Sequence, residues 1–109
     1  MSIRTGSRKY QLALQFPATS INDYDAMIEL ENMIINSLGV LGEVDGHDAG
    51  VNEMNIFIHT DHPEQAFERV ISGIGTKEFM PELKAAFREI GTDIFTVLYP
   101  AGLKCFSIA

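Results

Sequence analysis

The chain has 109 residues, one cysteine and a formal net charge of −7. A length of this order is one domain able to bury roughly two-thirds of its unfolded surface, so no disulfide or structural metal is needed for stability. The lone Cys105 excludes an internal disulfide and any multi-cysteine zinc site, and beside Phe106 it reads as a small buried hydrophobe. Residues 1–9 are polar and basic with no apolar run behind them, and no apolar segment is long enough to cross a bilayer. The expectation is a cytoplasmic protein with no signal peptide or membrane span, organised as a flexible tail over 1–9 and one domain over 10–109.

The distribution of charge carries more than its sum. Arg4, Arg8 and Lys9 lie in the tail, and the next Lys or Arg is Arg69. Between Tyr10 and Glu68 stand eleven carboxylates: Asp23, Asp25, Glu29, Glu31, Glu43, Asp45, Asp48, Glu53, Asp61, Glu64 and Glu68. Such a stretch projects a negative field that repels phosphate backbones and attracts cations or basic protein surfaces. Nucleic acid is therefore not an expected ligand. A solvated surface that serves solubility alone is the plainer reading of the same charges.

In chain order, Tyr10, Leu12, Leu14 and Phe16 alternate with Gln11, Ala13 and Gln15, which predicts a first strand stopped by Pro17. Ser20 and Asp23 offer a cap and an acidic first turn, after which Tyr24, Met27, Ile28, Ile34, Ile35 and Leu38 recur at helical spacing and Gly39 ends the helix. A second strand is expected around Val40 to Val44 and a third from Val51, joined by a loop that opens on Asp45-Gly46, a hairpin signal, with Gly50 as a further position tolerant of positive φ. In the third strand Met54, Ile56 and Ile58 face a core while Glu53, Asn55, Phe57 and His59 face away. Asp61-His62-Pro63-Glu64 then announces a second helix with Asp61 as cap, an apolar stripe of Ala66, Phe67, Val70, Ile71 and Ile74, and Gly73 and Gly75 as weakening and ending residues.

Residues 81–90 read either as a helix beginning at Pro81 or as a strand, Lys84 to Ile90, turning at Gly91-Thr92-Asp93 into the strand Ile94 to Tyr99. The hairpin is the preferred reading. Cys105 to Ile108 can add a short edge strand. The order strand, helix, strand, strand, helix, strand predicts an α+β, ferredoxin-like βαββαβ fold: an antiparallel sheet with two helices on one face, an open opposite face, and room for an extra C-terminal hairpin.

The histidines His47, His59 and His62 cluster with carboxylates in and around the expected hairpin. Asp45, His47, Asp48, Glu53, Asn55, Phe57 and His59 are the candidate binding residues, and imidazole beside carboxylate makes His47, Glu53 and His59 the candidates for a divalent metal. Against a metal, no ligand spacing such as His-x-x-x-His is present, and Glu53 and His59 stand about 20 Å apart along a strand. The Asp-Gly-His-Asp-Ala-Gly run is no calcium loop, since strands flank it and the terminal bidentate Glu is out of place. No serine elbow, phosphate-binding glycine loop or paired catalytic carboxylates can be assembled, so catalytic residues and cofactors are expected to be none. Phe57 among polar side chains predicts that its face is covered by a ligand, a second protomer or the returning C-terminal strands.

The run Asp45-Gly46-His47-Asp48-Ala49-Gly50, followed by Glu53, Asn55-Ile56-Phe57-Ile58, Thr60, Pro63 and Phe67, resembles small bacterial α+β proteins of unknown function, some of them similar to immunity proteins of toxin–immunity systems. The resemblance covers about residues 40–70 and implies a ferredoxin-like fold and a protein partner; it transfers no catalytic residue. The functional expectation is a non-enzymatic protein-binding module whose acidic surface engages a basic partner, with a homodimer through the open sheet face as another partner reading. The alternative is a small-molecule or divalent-metal-binding protein, conceivably an enzyme, that uses the histidine-bearing hairpin.

Overall fold

The structure is a computed structural model that describes residues 8–17, 24–49, 53–74, 83–100, 102–103 and 106. Strand β1 (Tyr10–Pro17) leads to helix α1 (Tyr24–Leu38), a turn of 3-10 helix (Gly39–Leu41), strands β2 (Gly42–Ala49) and β3 (Glu53–Thr60), helix α2 (Pro63–Ile74), and strands β4 (Lys84–Glu89) and β5 (Thr96–Tyr99). The strands form one sheet in the order β2-β3-β1-β4-β5, and every neighbouring pair is antiparallel. The fold is thus α+β with two helices, and its sheet has five strands where a βαββαβ fold has four; the fifth, β5, is the second arm of the hairpin preferred for residues 84–99. Residues 84–89 take the strand reading because β4 pairs with β1, setting Ala85 opposite Leu14 and Phe87 opposite Leu12. Local helix propensity in that stretch yields to this non-local pairing.

The period-two pattern of β1 and β3 puts one set of side chains into the core. Leu12, Leu14 and Phe16 from β1, Ile56 and Ile58 from β3, and Leu83 and Ala85 beside β4 cluster with Met27, Leu30, Ile34 and Leu38 of α1 and Ala66 and Val70 of α2. All the sheet residues in this cluster share one parity, so both helices cover the same face. Leu30, absent from the expected stripe, is buried, whereas Ile35 is 49% exposed. The side chains of Tyr24 and Ile74 and the positions Ser20, Asp23, Gly50, Gly75, Pro81, Cys105, Ser107 and Ile108 lie outside what is described.

Asp45-Gly46 makes a bulge and not the hairpin turn. β2 continues through it to Ala49, and the register shifts between Val44, opposite Ile58, and Gly46, opposite Phe57. Asp45 is the extra residue. Gly46 has φ +155°, a conformation that suits glycine, so the dipeptide that marks a turn serves here to insert a residue into a strand. The second strand also starts later than expected: Gly39, at φ +55°, stops α1, and Val40 stays in the 3-10 turn at 89% exposure.

Gly73 sits inside α2 against Ser37 of α1. A Cβ built there would clash with the Ser37 hydroxyl and lie 2.6 Å from its Cβ, so this glycine permits the two helices to approach. Asp61 is not the cap of α2: its Oδ1 accepts the Lys9 backbone N–H at 2.9 Å, while the Thr60 hydroxyl accepts the His62 N–H at 3.0 Å. Arg8 and Lys9, read as part of the tail, are held as well. Arg8 donates to the carbonyls of Leu41 and Val40, and the Lys9 carbonyl accepts the Ile90 N–H. Among the described residues no helix is long and apolar enough to cross a membrane.

The face away from the helices is not open at its centre. Ala13, Asn55 and Ala86 are fully buried, and Gln15 nearly so, although register assigns all four to that face. Residue types alone concealed this, because Gln and Asn usually signal a wet surface.

Candidate functional site

The candidate residues lie on the β2–β3 ribbon, and the bulge decides how they are shared between its two faces. Before the bulge, Val44 pairs with Ile58 on the helix side; after it, His47 pairs with Ile56 and Asp48 with Asn55. Paired residues point to one side of an antiparallel sheet, so His47 turns toward the helices while Asp48 turns away. Without the extra residue His47 would have stood on the side of Phe57.

On the helix side His47 Nδ1 lies 2.8 Å from Glu31 Oε2 of α1. On the other side His59 Nε2 lies 3.6 Å from Asp45 Oδ2, and the Asp45 side chain is half exposed. The two histidines therefore each meet a carboxylate, but on opposite faces of the ribbon. They do not converge on a common ligand, and Glu53 and His59 occupy opposite ends of β3, as strand geometry requires. Among the described residues no three His, Cys, Asp or Glu side chains are grouped to hold a metal.

Glu53, Asn55, Phe57 and His59 do share one face, as the alternation predicts, and stand opposite Pro17, Gln15, Ala13 and Gln11 of β1. Asn55 Oδ1 accepts from Gln15 Nε2 at 3.1 Å, while Asn55 Nδ2 and Glu53 Oε1 are buried without a hydrogen-bond partner among the described residues. Gln15 and Asn55 thus form a buried polar pair within the sheet, while Glu53, Phe57 and His59 are half-buried. At the far end of the same face Arg88 Nε donates to Gln11 Oε1 at 3.0 Å and its guanidinium also donates to the Thr92 carbonyl, tying β4 to β1 and to the turn before β5.

His62 stands apart from the other two histidines. It lines a cavity of about 270 Å³ with Tyr10, Asp61, Glu64 and Phe87, where the Tyr10 and Phe87 rings meet edge to face at 5.6 Å. Asp61 and Glu64 there flank the N-terminus of α2, a place that favours carboxylates for the sake of the helix itself.

Glu31 and Arg8 are not among the candidates, yet Glu31 ties α1 to β2 and Arg8 ties the segment before β1 to the 3-10 turn. Glu31 falls one turn after the buried Met27 and three residues before the buried Ile34, a spacing that borders the apolar stripe and was the available signal for a half-sheltered carboxylate. Arg8 gave no signal, since its bonds to Val40 and Leu41 are set by the path of the chain and not by local pattern.

The surface that results is acidic along α1 and β2. Glu29 is exposed on α1 in the helix layer, Asp45 and Asp48 are exposed on β2 on the face away from the helices, and Glu31 bridges the two elements through His47. Neither element contains a Lys or Arg. Ile35, one turn beyond Glu31, and Val40 leave apolar surface on α1 and at its end. No protein-family model, curated protein or solved structure matches the chain.

Proposed function

We propose that this chain is a non-enzymatic protein-binding module whose acidic α1–β2 side engages a basic protein surface. The observation that carries the reading is the placement of Glu29, Asp45 and Asp48 as exposed carboxylates on two elements that lack any cation, within a stretch from Tyr10 to Glu68 that has neither Lys nor Arg. A field of one sign speeds encounter with a partner of the other and opposes partners of its own. The divergence of His47 and His59 favours this reading over a small-molecule or metal site on the hairpin. The burial of Ala13, Asn55 and Ala86 within one chain favours the β2 edge, with Asp45 and Asp48, over the centre of the face away from the helices as the place of contact.

At the level of family, we read β2-β3-β1-β4 as the split βαβ arrangement of ferredoxin-like folds with β5 appended, and the function as immunity-like or regulatory, in line with the resemblance of residues 40–70. The test is affinity capture from lysate with wild type, with Asp45→Lys/Asp48→Lys, and with Glu89→Lys as a reversal on another strand. A basic protein held by wild type and Glu89→Lys but lost with the double reversal supports the reading. Capture that is indifferent to the double reversal and to salt removes its support.

A further inference from the structure

We propose that β2 is a docking edge at which an extended, lysine- or arginine-bearing protein segment adds as a further strand. This rests on the basic-partner reading above and specifies how the partner is held. Among the described residues β2 has β3 on one side and no strand on the other, over the eight residues Gly42–Ala49. An edge strand turns backbone N–H and C=O groups outward, and these pair readily with another extended chain.

The side chains select which chain. Glu43, Asp45 and Asp48 give β2 three carboxylates and no cation. A second copy of the same edge would set carboxylate against carboxylate, which opposes self-pairing, whereas a basic strand gains at the same positions. β5, the opposite edge, is the uncharged Thr96–Tyr99 and offers no such selection.

The bulge sets the register. It interrupts the strand at Asp45, so the added segment pairs beyond it, along Gly46–Ala49. Alternate side chains of the added strand then fall on alternate faces. On the face away from the helices they meet Asp48 and the bulged Asp45. On the helix side they pass the His47–Glu31 pair and the half-exposed Ile35. The matching partner segment carries basic residues at every second position with apolar residues between them.

The test uses the full chain, isotope-labelled, and two synthetic peptides matched in length to β2. One alternates lysine with valine; the other has the same sequence with its backbone nitrogens methylated, which keeps the charge and removes every donor a strand needs. Strand addition predicts that the first peptide shifts the amide signals of Gly46–Ala49, that methylation weakens binding about tenfold or more, and that Asp45→Lys/Asp48→Lys weakens it as well. Equal, salt-sensitive binding of both peptides overturns strand addition and leaves the basic-partner reading in place. Absence of salt-sensitive binding by either peptide overturns both.

Discussion

Glu31 Oε2 and His47 Nδ1 meet at 2.8 Å between α1 and β2, a contact that exists because one extra residue, Asp45, turns His47 to the helix side. It fastens the edge strand to the first helix on the acidic side of the molecule. The Glu31 side chain is 14% exposed and that of His47 35%, so a sheltered carboxylate meets an exposed imidazole. A double-mutant cycle of Glu31→Gln and His47→Ala, read by urea denaturation, is expected to give a coupling energy of about 0.5–1.5 kcal/mol. Additive losses would mean that the two side chains do not interact in solution.

The bulge itself is open to test at Gly46. Nothing lies within 4 Å of a Cβ built there, so any cost of Gly46→Ala comes from the backbone at φ +155° and not from a clash. The expected loss is about 1–3 kcal/mol, with the His47 resonances perturbed because the register beyond the bulge is disturbed. A neutral substitution would place the extra residue elsewhere in β2.

These two residues also mark where the sequence stops being informative. The strands β1 and β3 are legible because Leu12, Leu14 and Phe16, and Ile56 and Ile58, recur with period two, and one buried face suffices to impose that period. Asp45-Gly46 is ambiguous for a physical reason: a positive φ at glycine serves a hairpin turn and a bulge equally well, and only the pairing partner, Phe57 on β3, decides between them. With the bulge read as a turn, His47 and Asp48 fall in a loop where no face is defined, so His47 is grouped with His59 although the pairing beyond the bulge sets it on the opposite face. Gln15 and Asn55 mislead in another way. They satisfy part of their hydrogen bonding against each other, so polar residues sit at a buried place in the sheet. Arg8 and Glu31 depend on contacts distant in sequence and left little local trace.

Gly73 makes a separate prediction about the helix pair. Gly73→Ala drives a methyl group into Ser37 and is expected to cost about 1–3 kcal/mol, against the small gain in helix propensity that alanine brings at an unobstructed site. Ser37→Gly removes both atoms nearest the new methyl, leaving the Ser37 Cα at 3.7 Å, so it should recover part of the loss in the double variant. A Gly73→Ala protein more stable than wild type would show that the helices do not approach this closely.

In the core, Ile56 is fully buried between β1 and the helices, and Ile56→Ala should lower stability by about 2–5 kcal/mol, measured by thermal or denaturant unfolding. Near-native stability there would invert the assignment of faces on β3.

The central claim is that the acidic α1–β2 side is where a basic protein docks. Its most direct test is amide hydrogen exchange on the chain alone and on the chain bound to the basic protein that it captures. Docking there gives new protection along β2 and the exposed side of α1 around Glu29 and Ile35, shrinking as salt is raised. Protection confined to α2, β4 and β5, with β2 and α1 unchanged, would contradict it.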